Sequence, residues 1–162
     1  MIIFIKMMRK EESKSEISVP SYIWKSSYYV TGHYEFEINI KYTNTDSNKT
    51  IYRRFSDIEW LHDGLLAFNP GCRIPNMPEK SIWCNIGVNN NVMLDKRKKL
   101  IENYLSYINS HKFLKFNTMY QIFISDDFEK IKKNEYSDNK KSHSIYNLYL
   151  NLKNQIPGFK AP

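Results

Sequence analysis

The chain has 162 residues and a formal charge of +7, with 24 lysines and arginines against 17 acidic residues. This length suits one ordinary domain with tails and leaves no room for a second. The charge favours an anionic partner such as nucleic acid, a phosphate or an acidic lipid surface. Two cysteines and four scattered histidines show no spacing typical of a disulfide framework or a zinc site, so we expect neither metal nor other cofactor.

The first eight residues are apolar but contain Lys6, and polar residues follow them up to Pro20. A membrane span needs about 20 consecutive apolar residues, which this segment lacks. We therefore predict a flexible arm over residues 1–20 on a cytoplasmic protein whose membrane contact is peripheral.

The next segments predict antiparallel strands. Residues 22–30 are rich in aromatic residues, and from Tyr34 to Tyr42 apolar side chains alternate with polar ones, which is typical of a strand with one buried face. A polar turn over 43–48 leads to a third strand over 50–55. Three short-linked antiparallel strands are expected.

Helical patterns follow the strands. Residues 56–59 (Ser-Asp-Ile-Glu) predict a capping box at the start of a helix that runs to about Phe68, where Asn-Pro-Gly ends it. A second helix is predicted over 94–108 and a short one within 113–124. The long proline-containing loop between the first two helices is of a length that usually has a function. The predicted fold class is α+β, a three-stranded antiparallel sheet followed by a helical subdomain.

The C-terminal part reads as a separate region. Residues 129–142 are charged and poor in apolar side chains, and an apolar stripe from Ile145 to Ile156 then ends at Pro157-Gly158. These features predict a linker followed by an amphipathic helix over 129–162. That helix is a docking helix or the entrance to a BAR-like region, or it folds back on the domain.

Candidate binding residues occur where the third strand meets the first helix. Arg53 and Arg54 end the strand and Phe55 follows them. A helix N-terminus favours an anion, and an arginine fork binds two phosphate oxygens at once. The alternative is that the arginines are strand-edge charges and that Phe55 belongs to the core.

Two further basic residues extend this set. Arg97 lies on the same helical stripe as Ile101 and Tyr104, so its charge needs either a ligand or an internal salt bridge. Lys80 follows a segment that Pro75 and Pro78 stiffen. Either residue alone is a weak signal.

Three segments in order resemble the signature motifs of the PX (Phox homology) domain, most closely those of sorting nexins. They are residues 51–61 (IYRRFSDIEWL), 74–80 (IPNMPEK) and 97–105 (RKKLIENYL). The resemblance covers about residues 20–128. Phe55 stands where the family often has Tyr, and Ile58 where Phe is common.

The resemblance implies a binding site for phosphatidylinositol 3-phosphate. By analogy Arg54 would hold the 3-phosphate, Phe55 would stack under the inositol ring, Lys80 would contact the 1-phosphate, and Arg97 would bind the 4- and 5-hydroxyls. In this family the loop after Lys80 enters the membrane interface, which suits the apolar residues Ile82, Trp83, Ile86 and Val88. These side chains could instead pack the loop onto the domain.

The implied function is a non-enzymatic module that targets early endosomal or related membranes for sorting. The implied protein partner belongs to a sorting complex. We found no nucleotide-binding loop, nucleophile elbow or HExxH motif that would favour an enzyme. RNP-like, KH-like and zinc-finger patterns are also missing, so nucleic acid is not an expected partner. The alternative is a protein-interaction module that keeps the PX fold without strong lipid binding.

Overall fold

The computed structural model describes residues 15–26, 32–43, 47–78 and 90–132. Four strands come first: β1 (Ser15–Ser18), β2 (Tyr22–Lys25), β3 (His33–Tyr42) and β4 (Asn48–Arg54). They are followed by α1 (Phe55–Phe68), α2 (Asn90–Ser110), a 3₁₀ turn (Leu114–Phe116) and α3 (Thr118–Phe123). Residues 128–132 are also helical. The predicted α+β class, strands before helices, is confirmed.

Strand β3 is the centre of the sheet. It pairs antiparallel with β4 on one side, and with both β1 and β2 on the other. Its alternating pattern buries Phe36, Ile38 and Ile40 against the helices, as the sequence predicted. The sheet has four strands in the described part of the chain, so the prediction of three was one too few.

The missing strand is β1, and it lies inside the segment predicted to be a flexible arm. Residues Ser15–Ser18 pair with the second half of β3, and the Val19 side chain is buried in the core. The Val19 N–H donates to Glu102 of α2 at 2.8 Å. The arm prediction is therefore wrong for residues 15–19, because tertiary pairing orders a segment whose own sequence is mostly polar.

The two long helices run side by side in the same direction. The Arg97 guanidinium lies over the Phe55 ring near the start of α1, and about two turns further along both helices Tyr104 contacts His62. Parallel neighbours need a connection that returns along the length of the first helix, about 20 Å for α1. This geometry explains why the proline-containing loop after Phe68 is long.

Several boundaries of helices and of the domain differ from the predicted ones. Helix α1 begins at Phe55 with Arg54 as its N-cap, so Ser56 and Glu59 are not the capping pair. Helix α2 begins at Asn90, which places Arg97 in its third turn rather than its first. The fold also continues past the predicted boundary at residue 128, because Ile131 packs against the core.

Three predicted features lie outside the described residues. They are most of the arm (1–14), the membrane-inserting loop with Lys80, and the C-terminal amphipathic helix. Within the described residues, no helix combines the length and the apolar character that crossing a bilayer requires.

Candidate functional site at the junction of a strand and a helix

The junction of β4 and α1 is a single-residue switch from strand to helix. Arg54 keeps extended backbone angles (φ −78°, ψ 162°), and the next residue is already helical. The Asp57 carboxylate, three residues on, accepts the Arg54 backbone N–H at 2.7 Å. A carboxylate in this first turn satisfies an orphan donor and complements the helix dipole. Asp57 therefore fixes the direction in which the chain enters the helix.

The two arginines of this junction have opposite roles. Arg53 is buried, and its guanidinium donates hydrogen bonds to the carbonyls of Phe123 at 2.9 Å and Ser125 at 2.7 Å. It also lies 4.4 Å from the centre of the Phe128 ring. Burial lowers the pKa of Arg53, and the field of Asp57 opposes this shift. Arg53 is therefore a structural cross-link between the strand and the end of the helical subdomain.

Arg54 points to the other face of the sheet, as alternation along β4 requires. It lies opposite Glu35 in the β3–β4 register and is half-buried. Among the ion pairs of the described residues, none involves the Arg54 guanidinium. Its fork is thus available at the N-terminus of α1, where backbone N–H groups also favour an anion.

Phe55 and Arg97 meet beside this arginine. The Arg97 guanidinium carbon lies 4.6 Å from the centre of the Phe55 ring, a cation–π contact between the start of α1 and α2. Both side chains are half-buried, and the Phe55 ring is also packed against the core. Phe55 therefore packs against the core and also contacts Arg97, and its role as a wall for a ligand stays a prediction.

A cleft continues from Arg97 along α2. It has a volume of about 690 Å³ and runs between the 75–78 segment and the helix, with Lys96, Leu100 and Tyr104 among its lining residues. Burial raises the pKa of Tyr104 far above its ordinary value, so its hydroxyl stays protonated and forms a 3.0 Å hydrogen bond with His62. The proline segment that leads to Lys80 therefore borders the same site as Arg97.

The structure places three of the four predicted ligand residues, Arg54, Phe55 and Arg97, around the N-terminus of α1, where the third turn of α2 passes. Lys80 and the predicted insertion residues lie outside the described residues. Sequence reasoning missed Asp57, whose carboxylate caps the helix and also forms a buried ion pair with Lys132. An acidic residue three positions after the last strand residue was the available signal.

The fold and this site define a small α+β domain that presents basic and aromatic side chains where a strand enters a helix. The family model for the PX domain matches residues 41–127. The chain belongs to the PX domain family.

Several sorting nexins are similar to this chain. Sorting nexin-4 of Saccharomyces cerevisiae is 29% identical over 115 residues, which cover 64% of this chain and 27% of that protein. The vacuolar protein sorting-associated protein vps5 of Schizosaccharomyces pombe is 31% identical over 78 residues, covering 48% of this chain and 13% of that protein. The chain thus spans less than a third of the length of these relatives.

Solved structures agree with this assignment. A designed CISK-PX domain is 27% identical with a TM-score of 0.56, and the match covers 68% of this chain and 98% of that one. The SNX-BAR Mvp1 tetramer has a TM-score of 0.60 at 21% identity, over 78% of this chain and 35% of that one. The second likeness shows the fold alone.

Proposed function

We propose that this chain is a peripheral membrane-targeting module that binds phosphatidylinositol 3-phosphate and serves sorting at early endosomal membranes. The observation that carries the proposal is the convergence of Arg54, Phe55 and Arg97 at the N-terminus of α1. A guanidinium outside any ion pair of the described residues, a helix N-terminus and an aromatic wall suit a phosphorylated ring with free hydroxyls.

The roles follow from the positions of the side chains. Arg54 is nearest the helix N-terminus and takes the 3-phosphate, where its charge adds to the dipole. The Phe55 ring supports the apolar face of the inositol, and Arg97, already at that ring, donates to the 4- and 5-hydroxyls. Lys80 would contact the 1-phosphate, as the family resemblance implies.

Membrane contact beyond the headgroup is assigned to the loop after Lys80. Ile82, Trp83, Ile86 and Val88 would enter the interface, where apolar burial adds to headgroup binding. Replacing Ile82 and Trp83 with Asp should sharply reduce liposome binding while binding of a soluble headgroup changes little. Normal liposome binding by that variant would refute the insertion role, but it would not refute headgroup binding by Arg54, Phe55 and Arg97.

The pocket is tested by liposome co-sedimentation of Arg54→Ala with vesicles that contain phosphatidylinositol or its 3-, 4- or 5-phosphate. We expect selective binding to the 3-phosphate to be lost because the variant lacks the fork that holds this group. Arg73→Ala is the matched control, since it removes the same charge from an exposed position. Its binding should be unchanged.

A thermal melt of each variant separates lost binding from lost folding. Retained 3-phosphate selectivity in folded Arg54→Ala would remove this residue from the pocket. If the parent protein binds no phosphoinositide, the result would favour the alternative function. In that case the PX fold acts through protein contacts, such as those of a sorting complex.

A further inference from the structure

Two large apolar side chains stand in solvent at the turn that follows α2. Phe113 and Phe116 are each 66% exposed, more than any other aromatic side chain among the described residues. Burial of a phenylalanine ring is strongly favourable, so two exposed rings a few residues apart suggest a contact surface. We call the surface of residues 111–116 the distal surface.

The turn holds both rings outward. The Phe116 N–H donates to the Phe113 carbonyl at 3.2 Å, and residues three apart in a 3₁₀ turn share a face. Leu114, between them, is fully buried and anchors the turn in the core. The His111 ring accepts the backbone N–H groups of Phe113 and Leu114, each at 3.3 Å. The rings are therefore exposed on a turn that hydrogen bonds and the buried Leu114 hold in place.

Lysines flank both rings. The Lys112 ammonium lies 5.9 Å from the centre of the Phe113 ring, and the Lys115 ammonium 5.7 Å from that of Phe116. No Asp or Glu occurs between residues 103 and 125, or between 64 and 78. Cations near a helix C-terminus complement its dipole, which accounts for the lysines but not for the exposed rings.

The distal surface lies at the far end of the domain from the pocket. Helices α1 and α2 run in the same direction, and α2 extends about 20 Å beyond Arg97 to Ser110. The end of α1 reaches the same place, since the Asn117 side chain donates to that of Asn69 at 3.1 Å. A flat membrane at the pocket end therefore does not cover the distal surface.

We propose that the distal surface binds an anionic lipid bilayer, a second membrane facing the one that holds the headgroup. Exposed rings beside ammonium groups suit the interface of such a bilayer, where rings enter the acyl boundary and lysines meet lipid phosphates. A second copy of this chain is disfavoured, because its own distal surface has the same charge. A protein partner needs an apolar groove with an acidic rim, whereas a bilayer needs no preformed groove.

The bridging of two membranes rests on the proposed function, but the lipid contact of the distal surface does not. The two are tested separately. Binding of the full chain is first measured with phosphatidylcholine vesicles that contain phosphatidylserine and no phosphoinositide. Phe113→Ser/Phe116→Ser should reduce affinity about tenfold or more because two interfacial rings are lost, while Phe113→Leu/Phe116→Leu should retain most of it.

A charge control tests the lysines. Lys112→Glu should weaken binding to these vesicles more than Lys130→Glu, which changes the net charge equally at a position that is exposed and outside the distal surface. Equal effects would mean that total charge alone acts, and would overturn the proposal. Unchanged binding by the double serine variant would also overturn it, because the contact would then lie elsewhere on this basic chain.

Bridging is read from light scattering when phosphatidylserine vesicles are mixed with vesicles that contain phosphatidylinositol 3-phosphate. The proposal expects clustering that either the double serine variant or Arg54→Ala abolishes. Arg54→Ala should still bind phosphatidylserine vesicles, so failure of the pocket is distinguishable from failure of the distal surface. If a fluorine label on Phe113 is shielded from solvent in the free protein, another segment or copy covers the surface, and the proposal fails.

Discussion

Replacing Arg53 should destabilise the fold, although its neighbour Arg54 should be dispensable for folding. Arg53→Met keeps an unbranched side chain of similar length but removes the donors that reach the Phe123 and Ser125 carbonyls. Hydrogen bonds from a charged group contribute about 1.5–3 kcal/mol each. The two long-range bonds therefore contribute about 3–6 kcal/mol, from which the cost of burying the guanidinium is subtracted.

We expect a net loss of about 3 kcal/mol in the free energy of unfolding, since two carbonyls would also be left without their partner. Urea unfolding followed by tryptophan fluorescence measures this loss. Trp60 is a suitable reporter, because its ring packs edge-on against Phe128 at 5.2 Å, the same ring that lies under Arg53.

Arg54→Met is the matched control, because it makes the same substitution one residue later. Its backbone N–H still donates to Asp57, so we expect a loss below about 1 kcal/mol. The reasoning is refuted if Arg53→Met loses less than about 1 kcal/mol, or if the two variants are equally destabilised. Either result would mean that the carbonyl cross-link adds little to stability.

Two other predictions concern the same framework. Lys132→Met leaves the buried Asp57 carboxylate without its cation and should cost about 3 kcal/mol, whereas Asp57→Ala/Lys132→Met should cost less than the two single changes added together. Urea unfolding of all three variants checks this, and strict additivity would contradict a coupled pair. Val19→Ala should lower stability by about 1–2 kcal/mol because this side chain, which directly follows β1, is buried in the core. A thermal melt with no shift would restore the prediction of a flexible arm.

The order of elements could be read from the sequence because local patterns fix it. Alternation along residues 34–42 predicted β3, and helical spacing with the Asn-Pro-Gly stop predicted the end of α1 at Phe68. The motif around Arg54 and Phe55 and the one around Arg97 pointed to the PX family before any contact was known. These signals lie within single elements, so no long-range pairing was needed to see them.

Strand β1 could not be predicted in this way. Its residues are mostly polar, and they are ordered by pairing with β3 and by contacts to α2 more than 80 residues away, such as the 3.0 Å bond from Ser15 to Asn109. The ion pair between Asp57 and Lys132 is likewise distant in sequence. Local propensity carries no information on such partners.

The sequence determined that two arginines stand where a strand meets a helix, but only the tertiary structure decided which one is buried. Alternation along β4 sends Arg53 and Arg54 to opposite faces of the sheet, and the sequence does not say which face the helices cover. The carbonyls of Phe123 and Ser125 lie on the Arg53 side, so the Arg53 guanidinium is buried and hydrogen-bonded within the fold. The helical subdomain packs on the face that carries Arg53, so Arg54 lies on the opposite face, next to Phe55.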